Sequence, residues 1–242
     1  DTFKESIDIT NLIKYSHQYI EENKLLSQYN DVCLFNHQRQ MISLIKDNSD
    51  PKLILYQAPT GTGKTMTPLG LVKDKKIIFT CAAKHVGLQL AKSCIALHIP
   101  VAVAFGCETP DDIRLHYYAV SDFVKNRKSG GIFRVDNSNG AKVKIIITDI
   151  QSYLPSMNYM MAFNKPENLL WYWDEPTITL DYKEHLFHKI MKKNWDNNKI
   201  PSVVLSSATL PSCDEIYPMV STFKRKFKGE QFNIVSYDCN KT

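Results

Sequence analysis

The segment Gln57-Ala58-Pro59-Thr60-Gly61-Thr62-Gly63-Lys64-Thr65 constrains this chain more than any other stretch. It follows an apolar run, Leu53-Ile54-Leu55-Tyr56, and precedes residues compatible with a helix. Strand, glycine-rich loop, Lys-Thr pair and helix, in that order, are the setting of a phosphate-binding loop. Gly61 and Gly63 let the backbone curl so that its N–H groups converge on an anion. A helix starting near Gly63 adds its positive dipole end to the same spot. Lys64 can reach the outer phosphates, and the Thr65 hydroxyl can ligate Mg²⁺. Ala58 stands where the usual pattern has its first glycine. An ordinary Gly/Thr turn between a strand and a helix would not need the Lys-Thr pair at that place.

The chain has 242 residues, 43% apolar and 23% charged, enough for one large α/β domain. No apolar run approaches the roughly 18 residues of a membrane span, so no membrane partner is expected. The chain starts at Asp1 and shows no signal peptide, which reads as a processed or excised piece of something longer. Its net charge of +5 is compatible with a polyanionic partner without requiring one. The basic clusters at 73–76, 125–128 and 224–228 read as solvated helix or loop faces rather than as binding grooves. None of the six cysteines forms a close pair with metal-ligand spacing. Cys81 and Cys94 read as small core residues, and a reducing, intracellular, non-secreted setting is the simplest account. His185 and His188 share a probable helix with no evident third ligand, which favours packing over metal.

Residues 1–34 read as an N-terminal helical extension with Ile9, Leu12, Ile13 and Ile20 on one stripe. A second helix is predicted over Asn36–Ile45. Six short β-branched runs read as buried strands: Leu53–Tyr56, Ile77–Thr80, Val101–Phe105, Val143–Thr148, Leu169–Trp173 and Val203–Ser206. Asn233–Cys239 reads as a last strand. Helices are predicted over Lys84–Leu97, with Val86, Leu90 and Cys94 in register, and over Asp111–Lys128, behind a Pro-Asp-Asp cap signal. The segment from Lys128 to Lys142, with Gly130-Gly131 and Asp136–Gly140, reads as a hairpin or exposed loop. Strands alternating with helices predict an α/β domain, a mostly parallel central sheet with helices on both faces. Ligands then sit at the C-terminal strand ends, so the polar residues after each run should converge on one edge.

One such end carries Trp173-Asp174-Glu175-Pro176. Asp174 can hold Mg²⁺ and Glu175 can orient and deprotonate an attacking water. The plain alternative is an acidic turn before a helix with Pro176 at its first position. The next end, Ser206-Ser207-Ala208-Thr209, either caps a helix or bonds to the acidic pair if the two strands are neighbours. Trp171 and Trp173 lie within the strand and read as core.

Taken together, Gln57–Thr65, Trp173–Pro176 and Ser207–Thr209 resemble motifs I, II and III of superfamily 2 helicases, in the family's order, over roughly residues 35–211. Phe35-Asn36-His37-Gln38 is similar to the family's glutamine motif, Phe79–Lys84 to motif Ia, and Ile147–Ser152 to a later Thr-containing strand end. The acidic motif reads Asp-Glu-Pro-Thr where the family's common forms read Asp-Glu-Ala-Asp or Asp-Glu-Ala-His, which leaves the subfamily open.

The resemblance implies a RecA-like ATPase domain over residues 35–242. It implies ATP and Mg²⁺ as cofactors, contacted by Gln38 (which reads adenine), Pro59, Thr60, Gly61, Thr62, Gly63, Lys64, Thr65 and Met66. The metal would rest on Thr65 and Asp174, and catalysis on Lys64, Asp174 and Glu175. Ser207 and Thr209 would couple nucleotide state to movement. Ala82, Ala83, Lys84, Thr148, Asp149 and Gln151 would meet the phosphate backbone of single-stranded DNA or RNA. A second RecA-like domain of the parent polypeptide, bearing the arginine fingers, would complete the cleft. Two other readings stay open on the residues alone: a P-loop nucleotide or small-molecule kinase, which needs an arginine-bearing lid, and a non-hydrolysing nucleic-acid-binding module.

Overall fold

The computed structural model describes residues 35–46, 50–126, 132–179, 182–211 and 215–237. The expected N-terminal extension, the Gly130-Gly131 pair, Cys33, Cys213 and Cys239 lie outside them. Helix α1 (Asn36–Lys46) leads into β1 (Lys52–Gln57), a 3-10 turn (Lys64–Met66) and the short helix α2 (Pro68–Leu71). Then come β2 (Lys76–Cys81), α3 (Lys84–Ala96), β3 (Val101–Ala104), β4 (Arg114–Leu115), β5 (Phe123–Asn126) and β6 (Ile132–Val135). The chain continues through β7 (Ile145–Asp149), α4 (Tyr153–Phe163), β8 (Leu169–Asp174), α5 (Leu186–Asn197), β9 (Ser202–Ser207), α6 (Tyr217–Phe227) and β10 (Glu230–Val235). Among the described residues no helix is long and apolar enough to cross a membrane.

Among the described residues, eight strands form one sheet in the order β10-β1-β9-β8-β2-β7-β3-β4, all parallel except the edge strand β4. The central strands are buried on both faces, which is why their sequences are continuous apolar runs rather than alternating ones. The chain leaves β1, skips two places to β2, and returns later to fill the gap with β8 and β9. That reversal puts the residues after β1, β9 and β8 side by side. In register, Gln57 faces Ser207, Ser206 faces Asp174, Asp174 faces Cys81, and Cys81 faces Asp149. One line of strand ends therefore crosses the sheet.

Strand β8 shows how period-two alternation sorts the two cores. Leu169, Trp171 and Trp173 pack on one face with Tyr153, Leu205 and Trp195. Leu170 and Tyr172 pack on the other with Tyr56, Phe79 and Val204. Trp171 stacks on Tyr153 at 3.9 Å and on Trp173 at 4.9 Å between ring centres. Its indole N–H donates to Thr80 Oγ1 at 3.0 Å.

The expected helix over Asp111–Lys128 is not formed. Thr109 and Asp112 close a capping box, but it caps only one 3-10 turn, Pro110–Asp112. Ile113 and Leu115 are then buried on either side of exposed Arg114, a period of two that suits a strand, and Leu115 pairs with Ala102 of β3. Further on, β5 and β6 pair antiparallel as a separate ribbon, so the hairpin begins upstream of Lys128. Helices α4 and α6 were unmarked by sequence pattern. Each carries a proline in its first turn (Pro155, Pro218), a position a helix accepts but one that reads as a breaker.

Candidate functional site

The loop after β1 is shaped by two residues in left-handed backbone conformation, Gly61 (φ 82) and Gly63 (φ 74). Thr62 Oγ1 donates to the Pro59 carbonyl at 2.8 Å and closes the turn. Ala58, where the usual pattern has glycine, does not take a positive φ and is fully buried in the core. At Gly63 a Cβ would come within 3.0 Å of Gln38 Nε2, so a side chain there would push against α1. Gln38 itself bridges the two elements. Its Oε1 accepts from the Phe35 N–H at 3.1 Å, and its Nε2 donates to the Gly63 carbonyl at 3.3 Å.

Lys64 is buried, and its ammonium donates to the carbonyls of Ala58 (2.6 Å) and Pro59 (2.9 Å). The side chain thus spans the loop's own concavity. Burial lowers its pKa, and the nearby carboxylates of Glu175 and Asp174 oppose that. Thr65 Oγ1 donates to Asp174 Oδ2 at 2.9 Å, joining the segment after the glycine-rich loop to the end of β8. Asp174 is 3% exposed, and its other oxygen, Oδ1, has no hydrogen-bond partner among the described residues. Burial raises its pKa from 3.8 to about 6, against the opposing Thr65 hydrogen bond. A buried carboxylate oxygen left unpaired beside a hydroxyl fits a hard cation such as Mg²⁺, which takes one or two protein oxygens and draws its remaining ligands from water and phosphate. Among the described residues no cluster of three or more His, Cys, Asp or Glu forms an all-protein metal cage.

Glu175 has φ 50, a left-handed conformation unusual for a bulky residue. It is held by its N–H, which donates to the Ser206 carbonyl at 2.7 Å, and by Oε2, which accepts from Ser207 Oγ at 2.6 Å. Ser207 Oγ in turn accepts from the Thr209 N–H at 3.2 Å and lies 3.1 Å from Thr177 Oγ1. The acidic pair and the Ser-Ala-Thr segment therefore form one hydrogen-bonded unit on neighbouring strands.

The other half of the edge is built around Asp149, 7% exposed. Its Oδ2 accepts from Gly106 N and its Oδ1 from Ser152 N, both at 2.9 Å. Lys84 lies 3.7 Å from Oδ2 with its side chain 60% exposed. Ala83 precedes α3 without a side-chain cap, and Gln151 is exposed. Thr148 is fully buried and its hydroxyl donates to the Asp149 carbonyl at 3.0 Å. Gly106 (φ 65) and Ser152, whose Oγ accepts from Cys107 N at 2.7 Å, complete this loop cluster and were not singled out from sequence. A glycine directly after the β3 run was the available signal. His185 caps α5, accepting from Phe187 N at 3.1 Å, and His188 Nε2 lies 2.9 Å from the Thr179 carbonyl. An apolar cleft of about 600 Å³, walled by Trp173, Met191, Trp195, Leu210 and Met219, lies beside Pro176 and Thr177 and does not include the glycine-rich loop.

No protein-family profile matches the sequence, and no curated protein does either. Solved structures do. A DEAD box protein from the hyperthermophile Methanococcus jannaschii aligns with TM-score 0.52 and 16% identity over 88% of this chain and 53% of that one. The DEAD-box helicase Mss116, bound to ssRNA and UDP-BeF, aligns with TM-score 0.51 and 13% identity over 93% of this chain and 46% of that one. A hypothetical ATP-dependent RNA helicase from Sulfolobus tokodaii aligns with TM-score 0.50 and 15% identity over 87% and 57%. The chain spans about half the length of these structures. With a mostly parallel sheet of eight strands among the described residues and a glycine-rich loop directly after β1, the chain shares the α/β fold of these helicase structures.

Proposed function

We propose that this chain is the first RecA-like domain, residues 35–242 with an N-terminal extension, of an intracellular superfamily 2 helicase or translocase that hydrolyses ATP with Mg²⁺ on DNA or RNA. The observation that carries the reading is the 2.9 Å bond from Thr65 to Asp174. It brings a phosphate loop and an acidic strand end together from strands separated by β9. The bound nucleotide of the Mss116 structure lends support by likeness of fold.

In this reading Lys64 leaves the Ala58 and Pro59 carbonyls and neutralises the outer phosphates, while the N–H groups of residues 60–65 surround them. Thr65 and Asp174 would hold Mg²⁺, which supplies charge neutralisation on the phosphates. Glu175 orients the attacking water and takes its proton. Ser207 donates to the Glu175 carboxylate and so fixes the base. Because Ser207 also touches Thr209 and Thr177, movement of that unit would report nucleotide state to a second RecA-like domain. Gln38 already contacts Gly63 and would add adenine recognition from the same amide. Lys84, the backbone of Ala82 and Ala83, and Gln151 would meet the nucleic-acid phosphates. Asp149 serves them indirectly, by fastening the Gly106 and Ser152 loops, and Thr148 by bracing Asp149.

The test is phosphate release from ATP by the purified chain with Mg²⁺, with and without single-stranded RNA or DNA. Slow hydrolysis is expected, because an arginine finger from a second domain typically contributes about 10³ to 10⁵ in rate. Transfer of the γ-phosphate to an acceptor other than water would favour the kinase reading instead.

A further inference from the structure

We infer that Tyr172 is a positioning residue for the phosphate loop, its hydroxyl standing in for a helical hydrogen bond that Pro68 cannot make. The inference rests on the nucleotide reading above and adds a residue to it.

An α-helix starting at the loop would bond the N–H of residue 68 to the carbonyl of Lys64. Pro68 has no N–H, and its ring crowds that carbonyl. The chain responds by breaking the helix in two. Lys64–Met66 forms a 3-10 turn, and α2 starts afresh with Pro68 at its first position. The Lys64 carbonyl keeps the Thr67 N–H at 3.1 Å, and its second hydrogen bond comes from Tyr172 Oη at 2.7 Å. Tyr172 is fully buried on β8, two residues before Asp174 and therefore on the same side of the strand. Its ring stacks on Phe79 at 5.8 Å, which fixes where the hydroxyl points.

One strand thus grips the loop twice: Tyr172 holds the backbone of Lys64, and Asp174 holds the side chain of Thr65. Gly63 is gripped from the other side. Its carbonyl accepts from Gln38 Nε2, and from Thr67 Oγ1 at 3.1 Å. Tyr56 Oη lies 3.5 Å from that threonine hydroxyl and 2.5 Å from Nδ1 of buried His37. The backbone at 63 and 64 stays tethered while the Lys64 ammonium exchanges its carbonyl partners for phosphate.

The experiment is calorimetric titration of the whole chain with Mg-ATP and, separately, with adenosine. Tyr172→Phe keeps the ring and removes the hydroxyl, leaving a buried acceptor short of a partner. ATP binding should weaken about tenfold, with adenosine binding unchanged. Pro68→Ala restores an N–H at the helical position. The double variant Pro68→Ala/Tyr172→Phe should therefore bind ATP within about threefold of the parent. Equal ATP affinity for Tyr172→Phe and parent overturns the inference, as does an equal loss toward adenosine, or a loss that Pro68→Ala fails to repair. If Tyr172→Phe alone does not fold, the double variant decides: a folded, ATP-binding protein upholds the tether, and failure to fold or tenfold weaker binding sinks it. A parent chain that binds no ATP at all refutes the nucleotide reading itself.

Discussion

The two halves of the sheet's C-terminal edge are built on opposite principles. Across β1, β9 and β8 the polar groups are buried or half-buried and bonded to one another between segments: Thr65 to Asp174, Ser207 to Glu175, Tyr172 to Lys64. Across β2, β7 and β3 a single carboxylate, Asp149, fastens two loops through their backbone N–H groups, and the cation beside it stands in solvent. The first arrangement suits small, highly charged ligands that must meet fixed groups in a region of low dielectric. The second suits a long flexible polyanion, for which an exposed lysine with freedom to move is sufficient. Burial has a cost at Asp174, whose charged form it disfavours.

The largest effect that would break this contrast lies in the buried half. Glu175→Gln should lower kcat for ATP hydrolysis by about 10² to 10⁴, the usual contribution of a general base, and leave ATP affinity intact by calorimetry. Lys64→Ala should abolish ATP binding itself. If Glu175→Gln turned over ATP normally, the buried unit would be scaffolding rather than machinery.

Next in size is the cost of burying Asp174. Its pKa is raised in the fold from 3.8 to about 6, so the folded state disfavours the charged form. The resulting penalty is absent below the unfolded pKa, builds as pH rises between the two values, and is complete above the folded one. At pH 7.5 in a chelator it is at most on the order of 3 kcal/mol. Asp174→Asn should therefore raise the thermal unfolding midpoint at pH 7.5, and the gain should shrink as pH falls from 7 toward 4. A variant less stable than the parent at pH 7.5 would mean that the carboxylate is stabilising where it sits. The same titration predicts weaker Mg-ATP binding by the parent as pH drops through about 6.

The smallest effect belongs to the exposed half. Lys84→Ala should weaken binding of single-stranded RNA or DNA a few-fold and reduce the salt slope of that affinity by about one. ATP binding without nucleic acid should not change. An unchanged salt slope would remove Lys84 from the nucleic-acid surface and leave it as the neighbour of Asp149 alone.

Much of the fold was legible because it is written in short windows. The six apolar runs became strands, within a residue or two of their expected limits, and the stripe of Val86, Leu90 and Cys94 became α3. The Asp111–Lys128 region misled because a cap specifies only that a turn begins. Whether the turn continues depends on the next apolar spacing, and Ile113-Arg114-Leu115 is a strand's spacing. Around the site, the strand-end rule located the polar residues and offered the bond from the Ser-Ala-Thr segment to the acidic pair, but not the Thr65–Asp174 bond or those of Asp149. Tyr172 was open to detection, since a residue two before Asp174 on a strand must share its side. Its partner, a carbonyl left short by Pro68, was not, because nothing local joins positions 64 and 172.

The sequence by itself determined the six central strands, α1, α3 and the chemistry available at each strand end, since apolar runs, helical spacing and loop glycines are properties of neighbouring residues. The tertiary structure decided that β9 lies between β1 and β8, that Lys64 rests on its own loop's carbonyls, and that Glu175 is held at positive φ by Ser206 and Ser207. Those outcomes depend on hydrogen bonds and packing between segments far apart in the chain, which exist only once the sheet has closed.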